Sequence, residues 1–204
     1  MLIIGLTGSI GMGKSTLAAH LRARTLPVFD SDAEVHRLYA AEAVPLIEAA
    51  FPGTTADGKV ERSRLAAALA KDVAGFKQLE AIVHPMVRAS QRAFLQAAKL
   101  RGSPLAVLEI PLLYETGGDK LVDVVGLASA GPDEQRRRVL QRPGMTAEKL
   151  DLLLARQLPD AAKRARADFV VDTGMQLSES LAVLDKIVDS LGGQGGAAYG
   201  RHWT

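Results

Sequence analysis

A glycine-rich segment near the N-terminus carries the residue types that bind phosphate groups. Residues 8–15 read GSIGMGKS, which fits the pattern Gly-x4-Gly-Lys-Ser. The glycines allow successive backbone N–H groups to turn inward around phosphate oxygens, and the helix that begins near Lys14 adds the positive end of its dipole. The candidate nucleotide-binding residues of this segment are Gly8, Gly11, Met12, Gly13, Lys14, Ser15 and Thr16.

The side chains of this segment indicate a nucleoside triphosphate bound together with magnesium. In such a loop Lys14 reaches the β- and γ-phosphates, and Ser15 offers its hydroxyl to Mg²⁺. A chance glycine-rich turn is the alternative, but the motif follows an apolar run and opens a helical pattern, as a phosphate-binding loop requires. We therefore predict ATP and Mg²⁺ as ligands. The reaction stays open, because kinases, ATPases and GTPases share this loop.

Two aspartates follow the next apolar run of the chain. Asp30 and Asp32 end a short strand predicted at Val28 and Phe29, and if the strand continues both carboxylates lean to one side of the sheet. A kinase needs a group that orients the acceptor hydroxyl and takes its proton, which a carboxylate can do. We predict that Asp32 is this base. Because Asp32 also begins the following helix, an N-cap role is the alternative, and the two roles are compatible.

Other polar residues are weaker candidates for ligand binding. Glu109 ends an apolar run, where an acid can hold Mg²⁺ or its water, and a solvated carboxylate is the alternative. Asp172 and Thr173 follow another apolar run and are candidates to flank an adenine. A single histidine before proline, as at His84, is more often a local structural residue. Arg88 is the stronger ligand candidate, because its planar guanidinium suits phosphate or pyrophosphate.

The segment 134–166 is rich in basic residues, with nine Lys and Arg against four Asp and Glu. Arg138 and Arg142 are four residues apart, so on a helix they share one face and can approach a triphosphate together. A phosphotransferase needs a mobile cationic cover that keeps water from the γ-phosphate. We predict a lid at about 133–160, in which Arg142 stabilises the transition state. A solvated charged surface is the alternative for most of these residues.

The pattern along the chain predicts strands that alternate with helices. Apolar runs predict five strands, at 2–6, 28–29, 105–110, 122–127 and 169–171. Such α/β sequences form parallel sheets with helices on both faces, and ligands gather at the carboxyl ends of the strands. Residues 33–100 show helical patterns and almost no strand signal, which predicts a helical insertion. The chain then forms one domain, 1–192, and the glycine-rich residues 193–204 are predicted to be a frayed tail.

The composition excludes several classes of function. The chain has 204 residues, and 25 Lys and Arg nearly balance 23 Asp and Glu, which leaves no charge footprint for duplex nucleic acid. The absence of cysteine removes disulfides, thiol nucleophiles and thiolate metal sites. No apolar stretch approaches the ~20 residues of a membrane helix, and the N-terminal run lacks the features of a signal peptide. We predict a cytoplasmic protein without nucleic-acid or membrane partners, either monomer or small homo-oligomer.

Six motifs in order make the sequence resemble the dephospho-coenzyme A kinase family. They are GLTGSIGMGKST at 5–16, FDSD at 29–32, HPMVR at 84–88, EIPLLYE at 109–115, the arginine segment at 135–142 and RARADFVVDT at 164–173. The resemblance spans nearly the whole chain. It implies a P-loop NTPase fold, in which a five-stranded parallel sheet is flanked by helices, with a helical acceptor-binding insertion and a small helical lid. It also implies ATP-dependent phosphorylation of the ribose 3′-hydroxyl of dephospho-CoA, the last step of coenzyme A synthesis.

The resemblance further implies roles for individual residues. Asp32 matches the proposed base of the family and Arg142 its lid arginine, while the lysine and serine of the glycine-rich loop match its phosphate and magnesium contacts. Two positions depart from the family pattern: Ser31 replaces the usual alanine, and Glu109 stands where aspartate is common. The implied substrate-binding residues are Thr7, Asp32, His84, Arg88, Pro111, Leu112 and Leu113.

Three other functions remain to be weighed against this one. A different P-loop kinase, such as an adenylate-type enzyme, predicts the same loop and lid with another acceptor pocket. A GTPase needs an Asn-Lys-x-Asp motif to read guanine, and the chain contains no asparagine. A nucleotide-binding module without chemistry would keep the loop but would not need Asp32.

Overall fold

Strands and helices alternate along the chain, whose computed structural model describes residues 1–71 and 73–204. The elements are β1 (Leu2–Thr7), α1 (Lys14–Ala23), β2 (Val28–Asp30), α2 (Ser31–Leu38), α3 (Val44–Ala50), β3 (Thr55–Ala56), β4 (Lys59–Val60), α4 (Arg62–Lys71), α5 (Val73–Leu100), β5 (Leu105–Glu109), β6 (Val124–Ser129), α6 (Pro132–Leu140), α7 (Ala147–Leu154), α8 (Asp160–Arg164), β7 (Phe169–Asp172) and α9 (Leu177–Leu191).

Five of the described strands form one parallel sheet in the order β2-β5-β1-β6-β7. In its register, Ile4 of β1 lies between Val107 of β5 and Val124 of β6. The predicted five-stranded parallel sheet is therefore confirmed. β6 begins two residues later than predicted, because a 3₁₀ turn at Gly118–Leu121 and Asp123, whose carboxylate accepts the N–H of Ile3, come before its ladder.

The two faces of the sheet are covered by different parts of the chain. Alternate side chains of a strand point to opposite faces. On one face Ile4 and Leu6 pack with Leu17 of α1 and Leu184 of α9 in a single buried cluster. On the other face Val125 packs with a cluster from the segment after β5. Burial on both faces explains why the strands read as continuous apolar runs.

The described residues separate into two compact units, 1–29 with 95–204, and 30–94. The unit 30–94 is mainly helical, as the sequence predicts, and has a hydrophobic core of its own. It also contains the short hairpin of β3 and β4, where we expected almost no strand. Asp57 and Gly58 both have positive φ in the turn of this hairpin, and an Asp-Gly pair is a known signal for such a turn.

The C-terminal residues pack within the unit formed by 1–29 and 95–204, so the prediction of a frayed tail is wrong. Oδ1 of Asp123 accepts the N–H groups of Ala197 and Ala198, each at 2.7 Å. Trp203 is 2% exposed, and its indole Nε1 donates to the Leu121 carbonyl oxygen at 2.8 Å. The glycines of this segment do not cause it to fray. They let its backbone come close to the start of β1 and β6.

The helix α5 is 28 residues long and contains Pro85 in its interior. It is amphipathic, and none of the helices in the described ranges is both long and apolar enough to cross a membrane.

Candidate active site

The glycine-rich loop joins β1 to α1 in the geometry of an anion site. Gly11 and Gly13 have φ of 79° and 81°, in the left-handed region that favours glycine. Gly13 caps the start of α1, and within the described structure no side chain caps this helix. The first N–H groups of a helix lack intrahelical partners, so this end of α1 can donate to phosphate oxygens. A Cβ on Gly11 would also lie 2.5 Å from Cγ2 of Val139, which excludes larger residues.

A cavity of about 370 Å³ opens beside this loop. Six of the residues that line it are nucleotide contacts predicted from the sequence, namely Gly11, Gly13, Thr16, Arg138, Arg142 and Thr173. Four further lining residues, which the sequence did not indicate, are Leu17, Met175, Leu177 and Ser180. The lining combines two arginines and the open end of α1 with apolar side chains. This combination fits a nucleoside triphosphate, whose phosphates need donors and whose base needs apolar contact.

Arg138 connects the helix α6 to the residues after β7. Its guanidinium donates to the Thr173 carbonyl oxygen at 2.7 Å and to Oε1 of Glu134 at 2.7 Å. Hydrogen bonds from Arg137 and then from Arg138 hold the pKa of Glu134 at about 2. The Thr173 hydroxyl in turn donates to the Met12 carbonyl oxygen at 2.8 Å. Arg138 of the predicted lid and Thr173, one of the predicted adenine-side residues, thus meet the glycine-rich loop in one network.

Lys14 is held by a buried carboxylate. Its Nζ lies 2.6 Å from Oε1 of Glu109, and Arg22 donates to the other oxygen at 3.1 Å. Glu109 is 2% exposed, so the alternative of a solvated carboxylate is wrong. Because one carboxylate faces two cations, Lys14 can turn toward phosphates while Arg22 still neutralises Glu109.

A magnesium ion has few protein ligands available in this region. Across residues 1–71 and 73–204 no three His, Asp or Glu side chains cluster closely enough to hold a metal. Mg²⁺ that binds with nucleotide takes most of its ligands from phosphates and water, so one or two protein groups suffice. The exposed hydroxyl of Ser15 at the start of α1 fits this need. Glu109 is an acid that contacts the loop through its bond to Lys14.

Asp30 and Asp32 stand on different sides of the boundary between β2 and α2. The strand ends at Asp30, whose Oδ1 accepts the N–H of Ala33 at 2.9 Å and caps α2. Asp32 is the second residue of α2, so an N-cap role for Asp32 is wrong, and so is the argument that both carboxylates extend one strand. Asp32 is exposed. The capping role belongs to Asp30, and Asp32 has exposed surface in the first turn of α2.

Two of the predicted substrate contacts are buried. Thr7 has no exposed surface, and its hydroxyl donates to the Pro111 carbonyl oxygen at 3.1 Å. Leu113 is also fully buried and packs with Val125 under the sheet. In this conformation neither residue has exposed surface for a ligand, and both hold the segment after β5 in place. Pro111 is half-buried and Leu112 is exposed, so both have surface for a ligand.

The other predicted residues lie at three places. Met12 is buried, and its N–H donates to the Ser9 carbonyl oxygen, so it supports the loop rather than offering a free nucleotide contact. The Asp172 carboxylate accepts the N–H of Gly174 at 2.8 Å. His84 is exposed on α5, and Arg88 is half-buried there, where burial lowers the pKa of its guanidinium. Gly8 approaches Ala128 so closely that a Cβ would lie 2.7 Å from the Ala128 carbonyl oxygen.

Comparison with known proteins decides among the nucleotide-binding families that share such a cavity. The family model of dephospho-CoA kinase (CoaE) matches residues 2–179. The chain belongs to this family. A protein of Rhodopseudomonas palustris (strain HaA2) named dephospho-CoA kinase is 54% identical over 190 residues, which cover 93% of this chain and 96% of that protein.

Solved structures share the fold of this family member. The crystal structure of a Thermus thermophilus protein has a TM-score of 0.80 and 34% identity, and the match covers 95% of this chain and 98% of that one. Dephospho-CoA kinase from Campylobacter jejuni has a TM-score of 0.70 and 22% identity, with 93% and 96% covered. The second likeness concerns the fold alone. The P-loop kinase fold that the motifs implied is therefore confirmed.

The sequence did not indicate two glutamines that contact the glycine-rich loop. Gln135 donates to the Ile10 carbonyl oxygen at 2.7 Å, and the Ile10 N–H donates to Gln157 at 3.3 Å. Both glutamines are more than 120 positions from Ile10. No local pattern signals such a contact, because glutamine is common on helix surfaces. The arginine segment at 135–142 begins on α6, the helix that carries Gln135, but the sequence indicated its arginines as ligands and not this glutamine.

Proposed function

We propose that the chain is a dephospho-CoA kinase, which transfers the γ-phosphoryl group of ATP to the ribose 3′-hydroxyl of dephospho-CoA and releases CoA and ADP. The observation that carries this proposal is the cavity beside Gly11 and Gly13, where an uncapped helix end and two arginines meet an apolar wall. Membership of the dephospho-CoA kinase family supports the choice of acceptor. This reaction is the final step of coenzyme A biosynthesis, and we place it in the cytoplasm.

In this proposal the loop residues bind and orient the triphosphate. The N–H groups at the start of α1 donate to phosphate oxygens, and Lys14 moves from Glu109 to the β- and γ-phosphates. Ser15 would hold Mg²⁺, with Glu109 as the nearby acid, and the ion would supply positive charge beside the phosphates. Arg142 is exposed at the cavity and stabilises charge on the transferred group.

In this proposal the predicted substrate-binding residues activate and hold the acceptor. Asp32 follows the carboxyl end of β2, where ligands of parallel sheets bind, and takes the proton of the acceptor hydroxyl. His84 and Arg88 bind the acceptor within the helical insertion, and the half-buried guanidinium of Arg88 suits its phosphate groups. Pro111 and Leu112 offer the acceptor an apolar surface. Asp172 and Thr173 flank the adenine of ATP.

The test is an acceptor panel in a coupled assay of ADP release. With ATP and Mg²⁺ present, we expect dephospho-CoA to accelerate ADP release strongly, while AMP and simple alcohols do not. Mass spectrometry of the product should show CoA. Faster release with AMP would instead support a nucleoside monophosphate kinase, and ATP binding without release in the presence of any acceptor would support a binding module.

A further inference from the structure

The backbone of Ile10, in the middle of the glycine-rich loop, is held from both sides by glutamine side chains. Nε2 of Gln135 donates to the Ile10 carbonyl oxygen at 2.7 Å. The Ile10 N–H donates to Oε1 of Gln157 at 3.3 Å. Gln135 is only 7% exposed, so water cannot readily replace its amide. Side chains thus satisfy both polar groups of this residue, and the loop itself supplies neither partner.

Gln135 stands on a helix that is fixed against the loop. On the same helix Arg138 donates to Thr173, which itself donates to the Met12 carbonyl oxygen. Val139 packs so close to Gly11 that no side chain fits there. The amide of Gln135 therefore projects from a rigid support and reaches Ile10 in a defined orientation.

Gln157 is fixed from the other direction. The N–H of the next residue, Leu158, donates to Oε1 of Glu115 at 2.8 Å. The ammonium of Lys163, which has no exposed surface, lies 2.9 Å from the same oxygen. This ion pair anchors the chain directly after Gln157. Gln135 and Gln157 lie near the two ends of the predicted lid, about 133–160, which includes Arg142, so both ends of the lid contact the Ile10 backbone.

We propose that Gln135 and Gln157 are positioning residues that clamp the Ile10 backbone and preorganise the loop for the triphosphate. A loop that is already in its binding shape loses less conformational freedom on binding, and its affinity for the ligand is higher. The geometry assigns opposite roles to the two amides, since Gln135 must donate a hydrogen bond and Gln157 must accept one. The identity of the nucleotide, ATP, rests on the function proposed above.

The first test replaces each glutamine by methionine, which has a similar length and no amide. We expect Gln135→Met and Gln157→Met each to weaken ATP binding about five- to tenfold by isothermal titration calorimetry, the usual weight of one such bond. Because both bonds hold one backbone segment, the double variant should lose less than the product of the single losses. Gln141→Met, an exposed position just after α6, is the matched control and should bind ATP like the wild type.

The second test uses the assigned polarity of the two amides. Gln135→Glu and Gln157→Glu add the same charge, but a carboxylate can still accept from the Ile10 N–H and cannot donate to the Ile10 carbonyl oxygen. We expect Gln135→Glu to bind ATP at least about fivefold more weakly than Gln157→Glu. The KM for ATP should follow these losses, while the KM for dephospho-CoA stays near the wild-type value. The comparison of the two glutamate variants also tests the clamp if a methionine variant fails to fold.

Two results would overturn the clamp. One is ATP affinity in both methionine variants equal to that of Gln141→Met. The other is the combination of two findings. The double methionine variant would lose ATP affinity by the product of the two single fold-losses, and the two glutamate variants would bind ATP with equal affinity. These titrations need ATP alone, so they stay informative even if the wild type proves unable to phosphorylate dephospho-CoA, a result that would refute the proposed function instead.

Discussion

Replacement of Trp203 tests whether the C-terminal segment is part of the folded structure. Its indole is 2% exposed and donates to the Leu121 carbonyl oxygen, and the neighbouring N–H groups of Ala197 and Ala198 donate to Asp123. Oδ2 of the same Asp123 accepts the N–H of Ile3 in β1. Loss of the indole should therefore loosen the tail and weaken a contact at the start of the sheet.

The size of the effect follows from the buried area. An indole buries roughly 200 Å², and at about 25 cal/mol per Å² this corresponds to about 5 kcal/mol as an upper bound. Tryptophan to alanine changes in protein cores cost about 3–5 kcal/mol. Because the released C-terminal segment regains conformational entropy, we expect Trp203→Ala to cost about 3 kcal/mol. In a chain of this size that lowers the Tm by about 6–12 °C.

Equilibrium unfolding in urea and thermal melts measure this loss. Trp203→Phe keeps a ring but loses the Nε1 donor, and it should cost only about 1 kcal/mol. Gly196→Ala is an independent variant, because its Cβ would lie 2.6 Å from Cα of Leu2 and would push the segment away. ATP affinity at 25 °C should stay at the wild-type value in all three, since the cavity lies at the other ends of the strands. A change below about 0.5 kcal/mol for Trp203→Ala would refute the docked tail and restore the frayed one.

Three further predictions concern catalysis and pH. Asp32→Asn should lower kcat about 100-fold while ATP binding, measured by calorimetry, is kept; near-wild-type transfer would remove Asp32 as the base. Arg142→Ala should lower kcat about 100-fold with less than about a threefold change in ATP affinity, and a pure affinity loss would contradict its role in the transition state. Burial alone would raise the pKa of Glu115, but the bond from Lys163 and the N–H of Leu158 outweigh it and the pKa is lowered. The ion pair of Glu115 with Lys163 thus stabilises the fold at pH values above the ordinary pKa of a glutamate, and this stabilisation is lost as the pH falls through the pKa of Glu115 in the folded protein. The difference in the free energy of unfolding between the wild type and Glu115→Gln, measured by urea unfolding, should therefore narrow in acid. A difference that stays constant with pH would contradict this.

The strands of the sheet were predictable because their signal is local. Buried parallel strands are continuous apolar runs, and all five strands of the main sheet lie within two residues of the predicted positions. The hairpin of β3 and β4 was missed because each strand has only two residues, too few for periodicity. Its Asp-Gly turn at 57–58 was the available signal. The tail was misjudged because glycine content reports backbone freedom, whereas Trp203 and Asp123 determine where that backbone lies.

The candidate site was predictable where spacing determines geometry. Glycines at 8, 11 and 13 followed by lysine define a loop that opens a helix, and the structure has that loop, with left-handed φ at Gly11 and Gly13. Which of Asp30 and Asp32 caps α2 was not predictable, because it depends on where the strand ends. A shift of two residues changes an extended side chain into a helical one and exchanges the capping residue.

The amino-acid sequence by itself determined the class of ligand, the parallel sheet and the family, because these rest on motifs and apolar runs that are read within a few neighbouring residues. Only the tertiary structure decided which side chains reach the loop. Long-range contacts such as Gln135 with Ile10, Lys14 with Glu109 and Trp203 with Leu121 join residues that are about 80 to 125 positions apart. Their partners are selected by packing of whole elements, a property that no local spacing encodes.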